Sequence, residues 1–365
     1  MRPLLRSAGL QGGMSRSAAR DDGWPRILAL PQAYVERLNC QRGGVQMSEP
    51  HRLSVERIQQ AASVIDPVFL NSPQFRAEPL ERQLDCRIVV KVETLNPIRS
   101  FKGRGAEFLM ATMNGRHHLV CATAGNFGQG MAFAARKRGV PLTIFVSVSA
   151  NPLKIERMRA LGADVRLVGE EFKAAHSAAK EFAAANGAEL IEDGRIPAIT
   201  EGAGTIGLEL LRWPEAFDTI LVPLGDGALL GGVARWVKAH RPATQMIGIC
   251  ASGAPAMERS WRARRAQESG PTKTIADGID VQSPYPEAVA DLVGLTDDIL
   301  LVEDHTLVSA MQHAHKELGV ALEPSGAAGL AALAVYRERF KGQLVATILT
   351  GGNVTPEQMR RWLSA

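Results

Sequence analysis

The chain has 365 residues, 45% of them hydrophobic, which is enough for a large core and about two domains. It lacks a run of roughly 18 apolar residues that could span a membrane, and its four cysteines, Cys40, Cys86, Cys121 and Cys250, lack metal-ligand spacing, so a reduced, cytoplasmic protein is expected. The formal charge of +4 resides in residues 1–47, with seven arginines, no lysine and three acids; the other 318 residues balance 35 basic against 35 acidic, which leaves no electrostatic footprint for nucleic acid or an anionic membrane.

Residues 1–47 read as a peripheral, poorly ordered extension, Arg-rich like a transit peptide or an untranslated leader, with a short helix open at 26–39. From residue 53 the pattern alternates. Leu53 to Ile65 places Val55, Ile58, Ala61, Ala62 and Ile65 on one helical face. Cys86–Val92 reads as a strand and Ser100–Met113 as a helix. Strand Leu119–Ala122 precedes helix Phe127–Arg138, and strand Pro141–Val148 precedes helix Pro152–Leu161, capped by Asn151 and stopped by Gly162. Val165–Val168, Phe172–Ala185 and Glu189–Ile191 continue the alternation. Helix Ile206–Leu211, strand Thr219–Pro223, helix Leu230–Lys238 and strand Met246–Cys250 follow. The series ends with strand Ile299–Val302, a helix capped by Asp304, a helix from Ser325 to about Arg337, and strand Leu344–Leu349. Such alternation predicts an α/β fold with parallel sheets flanked by helices on both faces, and ligands at the carboxyl ends of the strands.

Four predicted strand ends carry unusual residues. The first is Asn96-Pro97-Ile98-Arg99-Ser100-Phe101-Lys102-Gly103-Arg104-Gly105-Ala106. A lysine in a helix's first turn meets the positive end of the dipole, which favours the neutral amine that Schiff-base chemistry needs. An ordinary surface lysine is the alternative, and Gly103 and Gly105 weigh against it because they imply close backbone approach. The second is Thr123-Ala124-Gly125-Asn126-Phe127-Gly128, a small-residue turn whose free N–H groups suit a carboxylate. The third, Gly225-Asp226-Gly227-Ala228-Leu229, is either a phosphate cradle or a structural turn; it matches neither a Walker loop nor a dinucleotide fingerprint. The fourth is Thr350-Gly351-Gly352-Asn353, preceded by Glu323-Pro324-Ser325-Gly326 at a helix start.

In this order, over roughly residues 53–360, the four motifs resemble the fold type II pyridoxal-phosphate enzymes of the tryptophan synthase β group, and within it the serine/threonine dehydratases. The resemblance implies a two-domain fold, with 48–113 plus 197–365 as the large cofactor domain and 114–196 as a small domain that closes over substrate. It implies pyridoxal 5'-phosphate held covalently on Lys102, with Phe101 against its ring and Asn126 on its 3′-oxygen. Gly225, Asp226, Gly227, Ala228 and Leu229 would hold its phosphate, Thr350 would face its pyridine nitrogen, and Glu323 would stand beside it. Thr123, Ala124, Gly125 and Asn126 would bind the substrate carboxylate.

The implied reaction is dehydration and deamination of a β-hydroxy amino acid such as threonine, serine or a bulkier analogue, to a 2-keto acid and ammonia. A β-replacement synthase like the cysteine synthases, or a threonine synthase, is the alternative. Asp226 and Ala228 interrupt a loop that is usually nearly all glycine, and an acid beside a phosphate repels it unless its side chain turns away. Ala251 and Ala256 stand where relatives carry cation-binding acids, so no metal is expected. Ala124 has no proton to give, which implies little racemisation. Phe127 either packs into the core against Met131 or, with Ile98, makes the substrate pocket apolar. The reading carries a small amino acid as substrate and a homodimer as a candidate assembly.

Overall fold

Ten strands give the alternating pattern its physical form in a computed structural model that describes residues 51–363, apart from 116 and 124. The extension at 1–47 lies outside these described residues. The strands are β1 (Gln74–Arg76), β2 (Arg87–Val92), β3 (Leu119–Ala122), β4 (Leu142–Val146), β5 (Asp164–Leu167), β6 (Glu189–Leu190), β7 (Thr219–Pro223), β8 (Gln245–Ala251), β9 (Asp298–Val302) and β10 (Leu344–Leu349). One sheet has the order β1-β2-β10-β7-β8-β9, the other β5-β4-β3-β6. Every pairing is parallel except that of β1 with β2.

The larger sheet is buried on both faces, which explains its unbroken apolar runs. Along β10, Val345 and Leu349 pack with the helices Asp304–Leu318 and Ala328–Val335, while Ala346 and Ile348 pack with Pro197–Leu210 and Ala228–His240. Period-2 side-chain alternation thus feeds two separate cores. Among the described residues, no helix is long and apolar enough to cross a membrane.

The helix Pro197–Leu210 begins nine residues earlier than the expected Ile206. Gly202 and Gly204, with Thr200 and Thr205, lower its intrinsic propensity, so periodicity alone hides it. Packing supplies what propensity lacks. A Cβ at Gly202 would stand 2.6 Å from the Arg104 carbonyl, and one at Gly232 only 2.1 Å from that of Thr200. These glycines let three helix backbones touch. Asp304 is the first residue of its helix and Glu303 its cap; the Asp304 carboxylate instead accepts bonds from Thr274 Oγ1 at 2.6 Å and Ile275 N at 3.0 Å. The expected helix from Ser325 is a 3₁₀ turn, Pro324–Ala327, leading into Ala328–Val335 and a short Arg337–Phe340.

Candidate active site

The loop after β2 is shaped by Asn96, whose Oδ1 accepts from Ile98 N and Ser100 N while its Nδ2 donates to the carbonyls of Glu93 and Ser100. Arg99 takes a left-handed φ of 50°, and its carbonyl accepts from Gly352 N at 3.0 Å. Phe101 N donates to the Thr350 carbonyl at 3.1 Å, and Ser100 forms a bridge with Gly351. The end of β10 therefore fixes where the next helix, Lys102–Thr112, begins. Lys102 is its first residue, so it lies in the first turn as expected, although the helix starts two residues later than Ser100.

The charge state of Lys102 differs from the expectation. Its Nζ lies 2.5 Å from Asp193 Oδ2 and 2.8 Å from Asp226 Oδ2, and 4.9 Å from the Phe101 ring centroid. Burial opposes the charge, but the two carboxylates outweigh both burial and the helix dipole and hold the amine as an ammonium. Burial first, and then the Asp226 charge, push the Asp193 carboxyl up to about 7. Burial also opposes the charge on Asp226, but Lys102 and the Ala228 N–H hold that carboxyl below its ordinary value.

Asp226 does not turn its side chain outward: Oδ1 caps Ala228 N at 3.0 Å while Oδ2 meets Lys102 inside the site. Ala228 and Leu229 bury their side chains, so these two offer a ligand only backbone. The N–H groups of Gly225, Gly227, Leu229 and Leu230 have no acceptor among the described residues. Gly227 takes a φ of 99°. Gly194, at a φ of 76°, lets the turn after Asp193 lie on this loop; a Cβ there would stand 2.6 Å from the Asp226 carbonyl.

A second polar cluster adjoins the first. Asn126 opens the helix Asn126–Arg138, donates to Glu323 Oε1 and accepts from Asn353 Nδ2 at 2.8 Å. Lys154 Nζ reaches Glu323 at 3.3 Å and Asp277 at 2.7 Å. Burial pushes the Glu323 carboxyl up. A Cβ at Gly351 would stand 2.2 Å from Glu323 Oε1 and 3.3 Å from Asn126 Nδ2, which ties the second motif to the fourth. The Thr350 hydroxyl has no hydrogen-bond partner among the described residues, although the residue is buried. Thr123 Oγ1 accepts from Gly125 N at 3.0 Å, and Ala124 lies outside the described residues.

All four motifs thus converge at strand ends. Phe127 packs in the same buried cluster as Met131 and Ile98, so neither aromatic nor isoleucine is available to line an apolar pocket. Asp193 and Lys154 escaped the sequence reading. Asp193 had one usable signal, an acid just beyond the carboxyl end of a short strand. Among the described residues, no cluster of His, Cys, Asp and Glu could hold a metal ion.

The family described as pyridoxal-phosphate dependent enzyme matches residues 65–351. An L-threonine ammonia-lyase of Thermotoga maritima is 31% identical over 85% of this chain and 78% of its own length. A biosynthetic L-threonine dehydratase of Lactococcus lactis is 29% identical over 82% and 75%. Among solved structures, maize serine racemase superposes with a TM-score of 0.80 at 27% identity, covering 85% of this chain and 96% of that one. The threonine deaminase isoform 2 of Solanum lycopersicum, in its processed form, gives 0.78 at 29% identity, covering 87% and 91%.

Proposed function

Because the chain belongs to the pyridoxal-phosphate dependent enzyme family, we propose that it dehydrates and deaminates a β-hydroxy amino acid, threonine or serine, to a 2-keto acid and ammonia. The observation that carries this reading is the half-buried Lys102 amine, held at converging strand ends on a loop pinned to Thr350. The residues fit the cofactor. A half-buried, accessible amine suits its aldehyde, four unpartnered N–H groups at a helix start suit its phosphate, and the unpartnered Thr350 hydroxyl suits its ring nitrogen. When bound, the cofactor supplies an electron sink for the carbanion that forms at Cα.

The chain's own residues do the rest. Lys102 would hold the cofactor, and its amine would be the base that removes the α-proton. Asn126, fixed by Glu323 and Asn353, orients the cofactor. The backbone of Thr123, Gly125 and Asn126 receives the substrate carboxylate at a helix N-terminus. The body formed by 114–196 closes over the substrate; its contribution of Asp193 and Lys154 to contacts with Lys102 and Asp277 supports this. A cytoplasmic location is proposed, supported by three described cysteines that are buried free thiols.

A screen of the purified protein for keto acid and ammonia tests the reading. Threonine or serine is expected to exceed 3-phenylserine in kcat/KM, since Phe127 and Ile98 are committed to the core. Product formation only with an added nucleophile, or only from a phosphorylated substrate, overturns it. A homodimer is proposed as the assembly, supported by Phe75, 37% exposed on the edge strand β1. Elution at the mass of one 39.3 kDa chain contradicts it.

A further inference from the structure

We propose that Asp193 is a second catalytic residue, the general acid that protonates the departing β-hydroxyl; this rests on the β-elimination reading. Hydroxide is a poor leaving group, so breaking the Cβ–O bond needs a proton donor close to the base that takes the α-proton. Asp193 Oδ2 stands 2.5 Å from Lys102 Nζ, at the end of the strand series where ligands bind. Its two neighbours in the site cannot take the role. Asp226 has both oxygens committed to charge-stabilising donors, Ala228 N–H and Lys102, and is held ionised. Glu323 Oε1 accepts from Asn126, and its buried Oε2, which makes no hydrogen bond, faces Lys154 at 3.3 Å and not Lys102. Asp193 accepts from Lys102 and from the N–H of Gly194 at 3.1 Å, and its carboxyl also meets that of Asp226.

Burial and Asp226 keep a proton on Asp193 up to about pH 7, so the two acids of one site are pushed apart in opposite directions. That separation is what divides acid from base roles in paired carboxyls. The other titratable groups facing it are Cys121 on β3 and Tyr285, whose hydroxyl bonds Glu192 at 3.2 Å.

The step balances. Lys102, as the free amine, takes the α-proton; the Cα–H electron pair becomes the new Cα–Cβ bond. The Cβ–O bond breaks with its pair on oxygen, which takes the Asp193 proton and leaves as water. Hydrolysis of the resulting enamine gives keto acid and ammonia. The enzyme is left with a Lys102 ammonium and an Asp193 carboxylate, at positions 2.5 Å apart in the structure. Loss of one proton from Lys102 to solvent and uptake of one by Asp193 reset both groups.

The test compares serine with β-chloroalanine, whose chloride leaves without a proton. In the Asp193→Asn holoenzyme, kcat on serine is expected to fall about 10²–10⁴-fold while kcat on β-chloroalanine changes by less than about tenfold. Cofactor content and melting temperature, measured on the same sample, are expected to match wild type. Equal losses on both substrates overturn the proposal and make Asp193 a positioning residue. Wild type serves if the variant fails to fold: kcat on serine is expected to decline above about pH 7, with no matching decline on β-chloroalanine. Identical pH profiles overturn the proposal. Wild-type enzyme that releases keto acid from neither substrate refutes the elimination reading itself.

Discussion

Lys102→Ala is expected to fold, to lose the cofactor's absorbance on dialysis, and to release no measurable keto acid. Loss of the base alone costs about 10²–10⁴-fold, and loss of the covalent anchor adds to it. In the wild-type holoenzyme, borohydride reduction is expected to fix the cofactor to the peptide that carries Lys102; label on another lysine rejects the assignment. The variant also carries a pH signature. Without the ammonium, Asp193 and Asp226 face each other with no cation in contact, and both carboxyls rise above their unfolded values. A carboxyl whose folded pKa is raised binds its proton more tightly in the folded state. Stability is therefore lost as pH rises from the unfolded value through the folded one. The melting temperature of Lys102→Ala is expected to drop further below wild type at pH 8 than at pH 5. A constant difference across that range contradicts the shared charge balance.

The second large effect lies two residues further on. Arg104 is fully buried and donates to Glu93 at 2.8 and 2.9 Å and to Glu209 at 2.7 and 2.9 Å. Lys91 also meets Glu209, at 2.6 Å, so two cations balance two anions in a closed network. Arg104→Leu leaves Glu93 with only the Ser72 hydroxyl. Removing one partner of a buried pair costs about 3–5 kcal/mol, or roughly 5–15 °C in melting temperature. Adding Glu93→Gln to Arg104→Leu is expected to recover part of that loss, because it removes the unpaired charge. Burial opposes the Glu209 charge, but Arg104 and Lys91 overcome it and depress the carboxyl to about 2. Its contribution is therefore present above the unfolded value near 4.5 and lost as pH falls through about 2. The gap in melting temperature between wild type and Arg104→Leu is expected to narrow as pH falls below about 4, because wild type loses the Arg104–Glu209 contribution that the variant already lacks. Equal acid sensitivity of the two proteins, measured by circular dichroism, contradicts this.

The strands of the larger sheet were legible because burial on both faces leaves an apolar run; Thr219–Pro223 and Leu344–Leu349 matched to the residue. Cap chemistry was legible where a side chain makes the cap, as at Asn151, whose Oδ1 accepts from Leu153 N. The helix at 197 was not, because glycines chosen for backbone contact lower the very propensity that sequence reading relies on. The same limit applied to Gly103, whose missing Cβ makes room for Phe69 and not for a ligand. Short elements such as Gln74–Arg76 and Pro286–Leu292 carry too few residues to show a period. In the site, local motifs found Lys102, Asn126 and Asp226, because each sits in a turn of small residues. What they missed is the encounter between residues far apart in the chain. The ammonium state of Lys102 depends on Asp193, 91 positions away, and no local pattern reports it.

The order of strands has a consequence for how the protein is made. β10 is the last strand in the described chain, yet it lies between β2 and β7 at the middle of the larger sheet. On the ribosome, β1 and β2 must wait without their inner neighbour while β7, β8 and β9 emerge beside an equally open edge. Contacts between residues so distant in sequence form slowly. Lys102 itself reaches its final position only when Thr350 and Gly351 arrive to tie down Phe101 and Ser100. A nascent chain stalled before residue 344 thus carries every other part of the cofactor site but no assembled one, and its two exposed strand edges are the surfaces on which a chaperone would act.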